Sequence, residues 1–502
     1  MKQKYILVAM LVFATLYFYQ DPGSNGNSRL DMTRAIVEQG SINIDSYHQQ
    51  INWDTIDEAS FNSHYYTDKG IGSSLLAVLP YFLLYKLSAV LGIALSSVVI
   101  KHFVTAVVMG GAFTVSGFVL YLIAEKISAN RWKALLATLA VSMGTMLWPY
   151  STTYFGHVLA ATFLTLAFYN LFISTTNPEI ISAKNCLWAG LFAGFAFITE
   201  YTTAFVIVGL LVYALYILRK QNPRQFIRLS LVAIFGALIP LSMFFAFNYA
   251  IYGNLLAVGY SHEALQEFQA GHATGFMGIG LPDWNAFYRL TIDPQRGLFW
   301  QSPVLVLSIL GYFFMLKKKI YRAEGLLSVF AITSMLLMNA GYYMWWGGWA
   351  FGPRLIIPAL PFFIIPFAVL PDNLNPFLEA LSIVSIGQML IPLMGQIQFV
   401  IKYQTVKKIY LVDGQPFKHF SILYQYGLPL IVKLFRAGTP SWNLGHAIGI
   451  PFLLSGPTFI IVESLLTGLF YRQTKAPGIS SGPMVVPLTP KYSKAPVRLH
   501  RK

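Results

Sequence analysis

The strongest constraint on this chain is a series of apolar runs, each about 18 to 25 residues long, recurring from residue 5 to residue 470. Wound as helices rising 1.5 Å per residue, runs of that length match the roughly 30 Å hydrocarbon core of a bilayer. In lipid every backbone N–H and C=O must find its partner within the structure, so only helices or closed barrels can span. The runs lack the alternation of barrel strands, which leaves helices. Only 11% of the 502 residues are charged, against roughly a quarter in a soluble domain. The expected fold is all-α, a polytopic integral membrane helical bundle of about 12 transmembrane helices (11–13). The single cysteine, Cys186, excludes an internal disulfide and any cysteine-built metal cluster.

The net charge of +15 could suggest a nucleic-acid partner, but its distribution points to a membrane. Basic residues gather in short stretches between apolar runs: Lys126, Arg131 and Lys133; Arg219, Lys220, Arg224 and Arg228; Lys317, Lys318, Lys319 and Arg322; and the tail from Arg472. Such a pattern marks cytoplasmic loops. From Asp21 to Lys69, by contrast, eight acids face three bases, so this stretch is expected outside. The expected spans are about 5–20, 102–125, 134–150, 158–175, 187–199, 203–218, 229–250, 298–316, 323–345, 355–370, 377–397 and 446–470, with both termini cytoplasmic in the cell (inner or plasma) membrane. Residues 71–99 are equally apolar, but counting them as a span would put every basic stretch outside. They are predicted to form an amphipathic or re-entrant helix in the outer leaflet. The expected organisation is a module over 1–370 with extracytoplasmic loops 21–70 and 251–297, a second membrane region over 371–475 with an extra loop at 398–445, and a basic, Pro-rich disordered tail over 476–502.

Ionisable residues concentrate in three loops that this topology brings to the same face. The first carries Arg29, Asp31, Arg34, His64, Asp68 and Lys69; the long loop 251–297 carries Glu263, Asp283, Asp293 and Arg296; the third carries Trp345, Trp346, Trp349 and Arg354. Carboxylates, cations and aromatic rings on one face suit an anionic, sugar-like or headgroup-like ligand. Glu200, followed by Tyr201 in an apolar setting, is costly to bury alone and calls for a cation or a tuning role in the site.

The run Asp31 to Arg34 in the first outer loop, followed by Asp68-Lys69 opening an apolar stretch, resembles the signatures of GT-C membrane glycosyltransferases, in particular the aminoarabinose transferase and protein O-mannosyltransferase branch. The stretches Asp293–Pro303 and Trp345–Arg354 resemble motifs of less characterised bacterial members, and the likeness covers residues 1 to about 370. It implies an inverting transfer of a sugar from a polyprenyl phosphate to an envelope glycan, lipid or protein acceptor on the outer face, with no nucleic acid involved. Asp31 would be the general base, and Lys69, Arg296, Arg354 and Arg34 would hold the donor phosphate. Asp68, His64, Glu200, Tyr201 and Trp346 would support substrate or structure. Met32 stands where the family has a second acid, which weakens a metal held by paired acids; no cofactor is implied with force, and a divalent metal is left open.

Plainer readings stand beside these. Asp31 could cap a helix over residues 32–39, Lys69 and Arg34 could be interfacial cations, and the tryptophans could form an aromatic belt. A twelve-span secondary transporter and a non-enzymatic envelope assembly protein are the rival functions.

Overall fold

The computed structural model describes residues 2–176, 182–294, 296–348, 350–395 and 443–474; most of the 398–445 loop, the tail from residue 475 and Trp349 lie outside these. Among the described residues the regular structure is helical apart from a two-stranded hairpin, β1 (Glu58–Phe61) and β2 (His64–Thr67). Among the described residues, eight helices are long and apolar enough to cross a membrane, with shorter apolar helices at Ala183–Thr199 and Arg354–Val369. The chain is thus a multi-pass membrane protein.

Three expected spans are broken, two of them at prolines. Proline lacks the N–H that continues an α-helix, and Pro358 and Pro361 leave Arg354–Phe363 as a 3₁₀ segment before the α-helix Ile364–Val369. The 298–316 run divides at Ser302-Pro303 into Leu298–Gln301, a 3₁₀ turn and Leu307–Lys318. The 134–150 run stops at Ser142 and resumes as Leu147–Ser151. Elsewhere the bundle packs closely through small residues, which let backbones approach in lipid. A Cβ on Gly190 would stand 1.8 Å from the Ala233 carbonyl oxygen, so Ala183–Thr199 and Phe226–Tyr252 meet where only glycine fits. The last helix, Phe452–Thr474, packs on α1 (Lys2–Leu16) through Phe459 stacked on Phe13.

Charge separates to the two ends. At one end Glu125 meets Lys4 and Arg131, and Lys133 meets Asp372; this is the basic end. At the other, Arg29 meets Glu200 and Lys101 meets Asp21; this acidic end is the one the charge bias assigns to the outside. The helix Gly72–Leu91, α3, starts at the acidic end, where Ser73 bonds Arg29. Its successor begins at Ser97, and Lys101 one turn later bonds Asn52 at the same end. Twenty helical residues cover about 30 Å, whereas the five residues between the helices reach about 20 Å. They cannot bring the chain back across a membrane, so α3 stays at the acidic end. Cysteines placed at Asn43 and Gln473 are therefore expected to react with an impermeant thiol reagent from opposite sides, the native Cys186 being buried. Labelling from one side would overturn the separation of ends.

Candidate active site at the acidic end

The helix α2, Gly23–Arg34, is the hub. Its sequence, GSNGNSRLDMTR, is a poor helix former with almost no apolar face, yet eight of its twelve residues are buried. Polar contacts hold it. Asn27 donates to the Asp54 carbonyl at 2.9 Å, Ser28 meets Thr67 at 2.8 Å, and Thr33 donates to the Ser74 carbonyl at 3.0 Å. The expected helix over 32–39 with Asp31 at its cap is corrected: Asp31 lies in the last turn of α2, and the chain runs on through a wider helical turn at Ala35–Gln39.

Arg29 answers the burial of Glu200. Its Nη2 donates to Glu200 Oε1 at 2.7 Å, and its Nη1 donates to Ser73 Oγ at 3.0 Å and the Gly70 carbonyl at 3.2 Å. His157 Nδ1 stands 3.5 Å from the same carboxylate. This knot ties α2, the start of α3 and the break before Tyr201 into one rigid unit. Tyr201 itself packs edge-on against Phe244 and Tyr260.

Asp31 is fully buried, and neither carboxylate oxygen accepts a hydrogen bond. Arg34 Nη1, at 3.8 Å, is its nearest ion-pair partner. Burial pushes its carboxyl up to about 8, against the opposing pull of Arg34 and Lys101. Arg34 already has partners of its own. It pairs with Glu38 at 3.1 Å, and its guanidinium lies 4.2 Å over both Tyr47 and Trp53.

Lys69 is likewise occupied. Its ammonium meets Asp57 at 2.6 Å and also Asp68, all three buried or nearly so. Although burial alone would raise Asp57, Lys69 holds that carboxyl below its usual value. Asp68, whose Oδ1 is unpartnered, is pushed up to about 8 by burial in spite of Lys69. His64 lies apart, half exposed on β2 and bonded to Asp45 at 2.6 Å.

The third loop closes over two arginines. Arg296 Nη1 donates to the carbonyls of Trp346 and Gly352, the latter at 3.1 Å, and so braces the tryptophan loop. Gly347 and Gly348 adopt φ of +71° and +74°, a turn that side chains rarely allow, and wrap the Arg354 side chain. Arg354 sits 5.0 Å over the Phe155 ring and is half buried. Among the described residues its side chain makes neither an ion pair nor a hydrogen bond, and its Nε is sealed from solvent. It is near enough to Asp57 and Glu200 to help hold both ionised.

The structure thus gathers Asp31, Arg34, Lys69, Asp68, Glu200, Tyr201, Arg296, Trp346 and Arg354 at one end and leaves His64 at the rim. Reading the sequence gave no site role to Arg29, Asp57, Lys101, His272 or Tyr342, although it counted Arg29 and Glu263 among the charges of the outer loops. Only Arg29 had a signal, since a buried Glu200 demands a cation. Among the described residues no three His, Cys, Asp or Glu side chains converge to hold a metal.

No protein-family model matches the chain, and no curated protein does. Among solved structures, the chain is similar to ArnT from Cupriavidus metallidurans in the apo state, with 12% identity, a TM-score of 0.48, and coverage of 94% of this chain and 75% of that one. It is similar to the same protein bound to undecaprenyl phosphate, with 11% identity, a TM-score of 0.45 and the same coverage. It is also similar to the arabinosyltransferase EmbB from Mycobacterium smegmatis, with 11% identity, a TM-score of 0.42, and coverage of 94% of this chain and 41% of that one.

Proposed function

We propose that the chain is a membrane glycosyltransferase that moves a sugar from a polyprenyl-phosphate donor to an acceptor at the extracytoplasmic end of the bundle, by inversion at the sugar carbon. The observation that carries the reading is Arg354. A half-buried guanidinium that makes no ion pair or side-chain hydrogen bond among the described residues, held by a glycine turn beside an apolar wall, is suited to an anion arriving from lipid. In an inverting displacement the acceptor oxygen attacks the anomeric carbon, the bond to phosphate breaks, and the phosphate leaves with the electron pair. Arg354 would meet the charge that grows on that phosphate. Asp31, whose oxygens accept no hydrogen bond, would take the acceptor's proton. Lys69, bound to two carboxylates, serves in this reading to balance the site's charge.

Arg354→Ala is expected to cut transfer by on the order of 10- to 1000-fold, because a donor aimed at developing charge in a dry site contributes about 1.5 to 4 kcal/mol. Lys86→Ala, on the exposed face of α3, should change little. Mass spectrometry of envelope glycans and lipid-linked sugars, with and without the gene, tests the reading as a whole. Unchanged glycans and unchanged donor pools would overturn it.

A further inference from the structure

Asp31, Arg34 and Glu38 are spaced i, i+3 and i+7, so they share one face of the helix that runs from α2 into the wider turn Ala35–Gln39. Arg34 stands between the two acids and is shared unequally. Its Nε donates to Glu38 Oε1 at 3.1 Å, whereas its Nη1 approaches Asp31 Oδ1 only to 3.8 Å, without a hydrogen bond. Nη1 donates instead to Gln50 Oε1 at 3.2 Å.

Two further segments fix Glu38 in place. Tyr47, in the loop before β1, donates its hydroxyl to Oε2 at 3.2 Å, and Tyr81, buried on α3, donates to Oε1. The rings of Tyr47 and Trp53 each lie 4.2 Å from the Arg34 guanidinium and hold the cation beside Glu38. A carboxylate bound so closely to an arginine cancels much of the field that the arginine exerts on a second acid.

We propose that Glu38 is a positioning residue that tunes the Asp31 base: by neutralising Arg34 it keeps that cation from pairing with Asp31, so the Asp31 carboxylate is left open to the acceptor's proton. This rests on the transfer reading above and adds the residue that sets how strongly its base binds a proton. Glu38 makes and breaks no bond in the transfer. The proton still passes from the acceptor hydroxyl to Asp31, and a carboxylate locked to an arginine is a poorer proton acceptor than one left unpaired.

Charge fixes the direction of the effect. Burial pushes Asp31 up to about 8, Arg34 and Lys101 pull it down, and Asp54 and Glu58, from the loop and strand packed on α2, push it further up. Tyr47 faces both acids, and burial holds its phenol above the usual range, so it does not change charge near neutrality. Glu38 lies seven residues from Asp31, about 10 Å along the helix. Its replacement by an amide removes a negative charge and uncovers Arg34, and both changes favour the ionised form of Asp31. At an effective dielectric of about 20, a charge at that distance moves a carboxyl by on the order of one pH unit.

The test uses the full chain in lipid nanodiscs. The infrared carboxyl band that Asp31→Asn removes reports the ionisation of Asp31 without any turnover. It should titrate about one pH unit lower in Glu38→Gln, at the parental pH in Glu38→Asp, which keeps the charge, and higher in Arg34→Gln. Transfer is followed as release of label from a radiolabelled undecaprenyl-phosphoryl hexose, with the cell's own membrane lipid extract as acceptor. The alkaline rise of kcat should move with the band, so Glu38→Gln transfers about fivefold faster than the parent at pH 7 and within about threefold of it well above pH 8. A band that stays at the parental pH in whichever of Glu38→Gln and Arg34→Gln folds overturns the coupling. Band and kcat limb both unmoved, with a rate lowered equally at every pH, make Glu38 a structural residue. A band that shifts while transfer ignores the shift, or while the parent transfers nothing, overturns the reading of Asp31 as the base and not the coupling.

Discussion

Replacing Asp31 by Asn is expected to yield a protein that folds, reaches the membrane at the parental level, and transfers sugar roughly 10² to 10⁴ times more slowly. Asparagine keeps the size of the side chain and removes its affinity for a proton. The pH dependence follows from burial. With its carboxyl pushed up to about 8, only about one molecule in ten holds Asp31 ionised at pH 7. Parental kcat should therefore rise about tenfold from pH 7 to well above 8, and Asp31→Asn should lack that limb. Stability should move the other way. A carboxyl whose value is higher folded than unfolded lends stability that is complete below about pH 4 and is lost as pH rises through 8. Asparagine escapes this loss but buries an amide without partners, so a net gain of about 1 to 3 kcal/mol near pH 8 is expected. A variant less active and more stable is the signature of a group kept for chemistry. Parental transfer with the same limb would return Asp31 to the structural residues.

The bundle was legible because lipid imposes one rule on every run: length and apolarity make a helix, and basic residues mark the ends that stay inside. The same rule reads only composition, so it passed over Pro358 and Pro361 inside an apolar stretch and expected an unbroken span. Within the site, Asp31, Lys69 and Arg354 could be picked out as charges on one face. Their partners could not. Whether Lys69 is free or held depends on Asp57, twelve residues away across a hairpin whose register no local pattern fixes. The ring partners of Arg34 could not be read either, because its tyrosine and tryptophan neighbours come from a loop without periodicity. Arg296 acts on backbone carbonyls, which carry no sequence signature at all.

The largest effect on the fold is expected at Arg29. Its guanidinium and the Glu200 carboxylate are both buried, and a buried pair that loses one member leaves a charge with no solvent and no counterion. Arg29→Ala should cost about 3 to 5 kcal/mol. It also removes the donors to Ser73 and Gly70 that fix the start of α3 to α2. Glu200→Gln should cost less, since the amide oxygen can still accept from Arg29, although the cation is then left uncompensated apart from carbonyl and hydroxyl oxygens. Replacing both ends by apolar groups of similar length, Arg29→Met with Glu200→Leu, removes the two charges together, and such swaps are often neutral or stabilising. The double variant should recover most of the stability lost in Arg29→Ala. Thermal unfolding in one detergent at one scan rate, with all four proteins run together, reads the comparison without requiring reversibility. If the double variant is as unstable as Arg29→Ala, the pair does not act as a unit, and the hydrogen bonds to Ser73 and Gly70 hold α2 in place instead. If it folds like the parent yet transfers nothing, the polarity of this knot, through His157 and Arg354 beside it, serves the reaction as well as the fold.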